Sequence, residues 1–98
     1  MIHSFKDARL ENLFRQGKHQ AGLPTEITES IISRLAVIHS ATTVKDLTSN
    51  SLRYEKLPMT RNKYSSVRVN SKYRLFFTWN DGAHDVHLSA HNYKSLLN

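Results

Sequence analysis

Residues 64–89 run YSSVRVNSKYRLFFTWNDGAHDVHLS, and apolar side chains recur there at every second position. That period belongs to β-strands, whose successive side chains point to opposite faces. The stretch divides into Tyr64–Val69, Tyr73–Trp79 and Ala83–Ser89. Val67, Val69, Tyr73, Leu75, Phe77 and Trp79 are all odd-numbered and apolar, so one face is expected to be buried. Tyr64, Ser66, Arg68 and Arg74 then fall on the other, open face. A two-residue first turn would set core residues opposite polar ones. A three-residue turn, Asn70-Ser71-Lys72, pairs Val69 with Tyr73 and Arg68 with Arg74, and the buried face favours it.

The second turn holds Asp81-Gly82, a type I′ signal for a two-residue hairpin. That register sets Trp79 against His84, Phe77 against Val86, Phe76 against His87 and Arg74 against Ser89. Arg68, Arg74, His87, Ser89 and, further on, His91 are thereby gathered on one exposed face. Like charges directly across a ladder repel by up to about 1 kcal/mol, and an anion between Arg68 and Arg74 would relieve it. Two solvated arginines splayed into water are the plainer account. Guanidinium groups beside imidazoles suit phosphodiester cleavage, with cations for the developing charge and groups that move protons near neutrality.

Upstream of residue 50 the period is helical. Asp7 is placed to cap a helix carrying Leu10, Leu13 and Phe14, and Gly17 to stop it. Ile2–Phe5 reads as a short first strand. Pro24-Thr25 opens a second helix with the stripe Ile27, Ile31, Leu35 and Ile38, and Thr43 with Asp46 resembles a capping box. Two helices followed by an antiparallel meander make an α+β fold. Ninety-eight residues, 39% of them hydrophobic, allow one domain over residues 1–98.

The net charge is +6 with neutral histidines. Between residues 53 and 74 lie seven of the fourteen basic residues (Arg53, Lys56, Arg61, Lys63, Arg68, Lys72, Arg74) and one acid, Glu55. Such a basic block suggests a polyanionic partner, nucleic acid first. The absence of cysteine excludes disulfides, thiol nucleophiles and Cys-held metals. No apolar run spans a bilayer and no signal-like stretch follows Met1, so a cytoplasmic protein without membrane contact is expected. His84 and His87 should point to opposite faces of a regular strand, which argues against a metal site. No Gly-rich phosphate loop or serine-hydrolase context is present, and no cofactor is expected. Tyr64 and Phe76 are candidates for stacking on bases, whereas parity puts Tyr73 and Phe77 in the core.

The opening MIHSFKDARLENLFRQGK resembles the start of HigB-type toxins of the RelE/ParE superfamily. The run Arg53-Tyr-Glu-Lys-Leu, then Arg61, then Ser66-Val-Arg-Val-Asn-Ser-Lys-Tyr-Arg-Leu-Phe-Phe-Thr-Trp79, is similar to that family's "SIRVN…WRL.F.W" core. The resemblance covers nearly the whole chain. It implies a RelE-like fold, two N-terminal helices packed on a small, mainly antiparallel, twisted sheet. It also implies the toxin of a type II toxin–antitoxin pair, an endoribonuclease that cuts mRNA on the 70S ribosome. Cleavage in the family proceeds without metal, by attack of the ribose 2′-hydroxyl on the adjacent phosphate. The implied partner is a HigA-like helix-turn-helix antitoxin, through which the toxin reaches operator DNA.

Carried over residue by residue, the resemblance assigns phosphate binding and charge stabilisation to Arg74, where Tyr73 replaces the family's Trp, with Arg68 and Arg61 assisting. A family histidine falls on Glu55, a lysine on Pro58 with Lys56 nearest, and a glycine on Met59. The family's terminal Asp-Tyr-His aligns with Ala90-His91-Asn92, which leaves His91 and Tyr93 to serve there. Glu55 or His91 is then the expected base, and His91 or Lys56 the expected acid. Arg53, Arg61, Lys63, Tyr64, Lys72, Phe76, His87 and Tyr93 are the expected RNA contacts. Two other readings stay open: a catalytically weak module that binds nucleic acid and antitoxin for operon autoregulation, and a ParE-like gyrase inhibitor.

Overall fold

The computed structural model describes residues 1–48, 52–61 and 63–90. Helix α1 spans Ala8–Gln16 and α2 spans Thr28–Ser40; strands β1 (Glu55–Lys56), β2 (Tyr64–Arg68), β3 (Tyr73–Trp79) and β4 (Ala83–Ala90) follow. The strands pair in the order β1-β2-β3-β4, every neighbour antiparallel. The chain is therefore α+β, as its two periodicities require. None of the helices described is long and apolar enough to cross a membrane.

Both helix boundaries follow local chemistry. Asp7 caps α1, its carboxylate accepting from the Arg9 backbone N–H at 2.9 Å and from the Arg9 guanidinium at 2.8 Å. The Arg9 side chain holds the Asp7 carboxyl below its usual range. Gly17 ends α1 at φ 69°, a left-handed conformation that costs glycine nothing. The second helix differs from the expected start. Pro24 and Thr25 open a 3₁₀ turn, Thr25–Ile27, and α2 proper begins at Thr28. The expected capping box forms, with the Asp46 carboxylate accepting from the Thr42 and Thr43 N–H groups.

Leu10 and Leu13 of α1, Ile31, Leu35 and Ile38 of α2, and Val67, Leu75, Phe77 and Val86 of the sheet join in one buried cluster. Both helices thus cover the odd-numbered face of β2 and β3, which is where parity places the apolar residues. Each such side chain contributes roughly 1.5–3 kcal/mol by leaving water. The opposite face is not open, as expected, but partly roofed. Ser66 and Phe76 are fully buried there, and Leu57 is buried outside the main cluster. Residues 53–57 return along the edge of β2 and bring the Arg53 carbonyl to Arg74 on this side: Lys56 pairs with Ser65, Glu55 with Ser66, and the Leu57 N–H reaches the Tyr64 carbonyl at 3.0 Å.

The β2–β3 turn has the expected three residues. Val69 N–H bonds the Tyr73 carbonyl at 3.0 Å, Arg68 lies opposite Arg74, and the Asn70 side chain accepts from the Lys72 and Tyr73 N–H groups. The β3–β4 turn corrects the two-residue expectation. Trp79 pairs with Ala83 rather than His84, so the loop is Asn80-Asp81-Gly82. A bulge between Phe76 and Thr78 then restores the expected register, with Phe76 opposite His87 and Arg74 opposite Ser89. Asp85, at φ 56°, is the extra residue. The physical reason is burial: a bulge switches parity, so Ala83 and Val86 both reach the core. It also brings His84 and His87 to the same side, opposite Thr78 and Phe76, contrary to expectation. Ile2–Phe5 forms no full strand. It makes isolated parallel bridges, Ile2 with Ala83 and Phe5 with Val86, on either side of that bulge.

Gly82 locks the hairpin tip to the first residues. It sits at φ 128°, and a Cβ there would lie 2.5 Å from the His3 ring and 2.7 Å from the Met1 carbonyl oxygen. Gly82→Ala is therefore expected to destabilise the fold by roughly 1–3 kcal/mol in urea unfolding. An unchanged midpoint would show that this junction carries no constraint.

Candidate active site

The β2–β3 ladder and the return of residues 53–55 enclose a cavity of about 440 Å³, lined by Arg53, Tyr54, Glu55, Arg68, Ser71 and Arg74. Three arginines and one glutamate thus share its wall. Strand pairing brings these distant residues together: Arg68 faces Arg74 across β2–β3, and Glu55 joins through its pairing with Ser66.

Arg74 is not a solvated arginine on an open sheet, as sequence parity implied. It is 4% exposed. Its Nε donates to Ser66 Oγ at 2.8 Å, and one terminal nitrogen donates to the Arg53 carbonyl at 2.6 Å. The same nitrogen lies 3.8 Å from Glu55 Oε2. A buried guanidinium needs such partners, because desolvating an unpaired charge costs several kcal/mol. Arg53 offers its carbonyl from a left-handed backbone (φ 50°), a conformation that L residues adopt at a cost of about 1–2 kcal/mol. Arg68 turns the other way. Its Nε donates to the Asn70 carbonyl at 3.2 Å, and its own carbonyl accepts from Arg34 of α2 at 3.1 Å. The paired arginines thus avoid each other by anchoring at different ends of the cavity, while both still line it.

The remaining expected residues divide. Glu55 lies in the cavity with about half its side chain exposed. Lys56, the next residue of β1, takes the other side of the sheet with its partner Ser65, so strand alternation removes it from the site. Phe76 is fully buried and so cannot stack on a base; instead it stacks against His87 at 5.6 Å. Tyr64 meets His87 edge-on at 5.8 Å, with the Lys63 ammonium 5.9 Å from the Tyr64 ring centre. Arg61 is exposed on a left-handed backbone (φ 58°), and Lys72 is exposed with its ammonium 5.3 Å from the Tyr73 ring. His91 and Tyr93 lie outside the described residues.

Tyr54, Ser66, Ser71 and Arg34 are not among the site residues expected from sequence, although strand parity puts Ser66 on the face of Arg74. Tyr54 lines the cavity, and its hydroxyl shares a hydrogen bond of 2.9 Å with Ser65 Oγ on the helix side of the sheet. The proximity of Ser71 to Arg68 follows from the turn length alone. The others depend on contacts between distant segments. His87 is half-buried, and desolvation pushes its imidazole below the usual histidine range. Its Nδ1 lies 2.9 Å from the Asp85 carbonyl, which can only accept, so Nδ1 carries the proton and Nε2 keeps a lone pair when the ring is neutral. Burial likewise raises the Tyr64 hydroxyl, with the Asp85 charge adding to it. Among the described residues no group of three metal-type side chains gathers, and His84 stacks on His3 at 4.7 Å instead.

Comparison with known proteins identifies the family. Residues 3–91 match the family described as "RelE-like toxin of type II toxin-antitoxin system HigB". The chain is 33% identical over 95 residues to "Toxin HigB-1" of Vibrio cholerae serotype O1 (strain ATCC 39315 / El Tor Inaba N16961), covering 95% of this chain and all of the relative. It is 32% identical over 82 residues to "Endoribonuclease HigB" of Proteus vulgaris, covering 84% of this chain and 88% of the other.

Two outcomes follow from the buried groups. Arg74→Ala leaves Ser66 Oγ and the Arg53 carbonyl without their donor, so it is expected to lower stability by roughly 1–3 kcal/mol, read by chemical denaturation. Retained stability would contradict the anchoring role. For His87, the folded value lies below the unfolded value near 6.5, so the unfolded chain takes up the proton first. Stability from this group is present above about pH 6.5 and falls as pH drops toward its folded value. His87→Phe should flatten part of that acid loss, and proton NMR should show the His87 ring titrating below the usual range.

Proposed function

Because the chain belongs to the HigB-like, RelE-like toxins of type II toxin–antitoxin systems, we propose that it is an endoribonuclease that cuts mRNA on the 70S ribosome. The toxin acts in the cytoplasm, where a helix-turn-helix antitoxin of the HigA kind restrains it and links it to operator DNA. The observation that carries this reading is the Arg68–Arg74 pair on the wall of one cavity, with Arg53 and Glu55 beside it.

A phosphodiester entering the cavity meets a net positive wall. Arg74 is already oriented by Ser66 and Arg53, so it spends no further ordering on contact with the anion. Arg68 closes from the turn side. Glu55 accepts the proton from the ribose 2′-hydroxyl as that oxygen forms a bond to phosphorus. The bond from phosphorus to the 5′-oxygen breaks, and this oxygen takes up a proton, His91 being the donor nearest in sequence to the end of β4. The products are a 2′,3′-cyclic phosphate and a 5′-hydroxyl. Extra charge on the phosphorane oxygens is met by the two arginines, and removing one such donor typically costs 10²–10³ in rate. Arg61, Lys63 and Lys72 add exposed positive charge, so affinity for RNA falls as salt rises.

Induced expression should arrest growth and produce new transcript 5′ ends within translated regions. Arg68→Ala, which spares the buried anchor, should reduce cleavage by about 10²–10³. A substrate with 2′-deoxyribose at the cut position should survive intact. Intact transcripts with DNA damage would instead indicate gyrase inhibition, and RNA binding without cuts would indicate a binding module.

A further inference from the structure

Beyond the arginine cavity, the same sheet face carries an aromatic cluster that phosphate chemistry does not use. Glu55, Ser66, Phe76 and His87 form one cross-strand row, and Tyr64 starts the next. Phe76 forms the buried floor of the cluster, with the His87 ring lying over it at 27° between planes and the Tyr64 ring standing at 87° to His87. Both outer rings keep part of their surface in solvent. The His87 ring packs on buried Phe76 and the Tyr64 ring packs edge-on against His87, so two half-buried rings offer π surface at little cost in side-chain entropy. The cluster lies within reach of the cavity. His87 is two residues along β4 from Ser89, the partner of Arg74, which is about 6.6 Å of strand. This is close to one nucleotide of extended RNA.

Resting on the ribonuclease reading above, we propose that Tyr64 and His87 form a nucleobase subsite. It takes the base of the single-stranded RNA next to the phosphate held by Arg68 and Arg74. The base packs against the exposed parts of these two rings. Because Nδ1 of His87 is bound to the Asp85 carbonyl, the Nε2 lone pair is left to accept an N–H from the base, such as the amino group of adenine or cytosine. Lys63, close to the Tyr64 ring, lies where it meets the backbone of the same nucleotide. Phe76, expected from sequence to stack on RNA, acts instead by holding His87 in place.

The test uses the folded protein and two probes. One is a 2′-O-methyl pentanucleotide, which cannot be cleaved; the other is the same sugar–phosphate chain with all five bases removed. Wild type should bind the first more tightly. Tyr64→Ala and His87→Ala should each weaken binding of the base-bearing probe by roughly 5- to 150-fold and leave the base-free probe unchanged. His87→Phe, which keeps a ring over Phe76, should retain most of the affinity. Arg68→Ala should weaken both probes alike. Equal losses on both probes for Tyr64→Ala, or no loss on either, would overturn the subsite while leaving the phosphate site standing. The unchanged base-free probe reports that a variant is folded, and Tyr64→Ala decides the matter if His87→Ala loses its fold. Failure of wild type to bind either probe would overturn the subsite, whereas the ribonuclease reading falls only if transcripts also stay uncut on induced expression.

Discussion

A buried guanidinium organises this protein. Arg74 is almost wholly removed from water, and its hydrogen bonds to Ser66 Oγ and the Arg53 carbonyl tie three segments together: β3, β2 and the approach to β1. Without those acceptors a charge at that depth would cost several kcal/mol. The same bonds aim the group into the cavity. Stability and the proposed phosphate contact therefore draw on one side chain, and the left-handed turn at Arg53 is the local strain that this arrangement tolerates.

Around that anchor the sheet has two unlike faces. One is an apolar seam closed by α1 and α2, built from Leu10, Leu13, Ile31, Leu35 and Ile38 against Val67, Leu75, Phe77 and Val86. The other is graded along its length. Phe76, Leu57 and Ser66 are fully buried, while Arg68, Glu55 and Tyr64 stay accessible at its margins. A polar cavity bordered by a small aromatic cluster results. Its charge excess comes from a few residues around one cavity rather than from the chain as a whole, which matters for any anion that must be held in a defined place.

The β3–β4 hairpin shows how local irregularity protects a distant register. A three-residue tip shifts the pairing by one, and the bulge at Asp85 shifts it back before the strands reach Arg74. The first residues lie alongside, with Ser4 Oγ accepting from the Asp85 N–H and His3 packed over Gly82. Had the bulge been missing, every side chain of β4 beyond it would have changed face. Ser89 and His87 would then have turned toward the helices and away from the cavity.

Much of this was written in the linear order of residues. Alternation in 64–79 selected the buried face of β2 and β3, the Asn70-Ser71-Lys72 turn set Arg68 against Arg74, and Asp7 and Gly17 bounded α1, because each depends only on neighbours or on a period of two or 3.6. Family likeness also pointed to the basic residues. Tertiary structure alone decided what lies above the second sheet face. The return of residues 53–57 supplies the Arg53 carbonyl to Arg74, brings Glu55 into the cavity and sends Lys56 to the far side, and no pattern within a strand encodes that return. The bulge at Asp85 escaped for a related reason: Asp81-Gly82 favours a two-residue turn locally, and the need to bury both Ala83 and Val86 outweighs it only once the helices are in place.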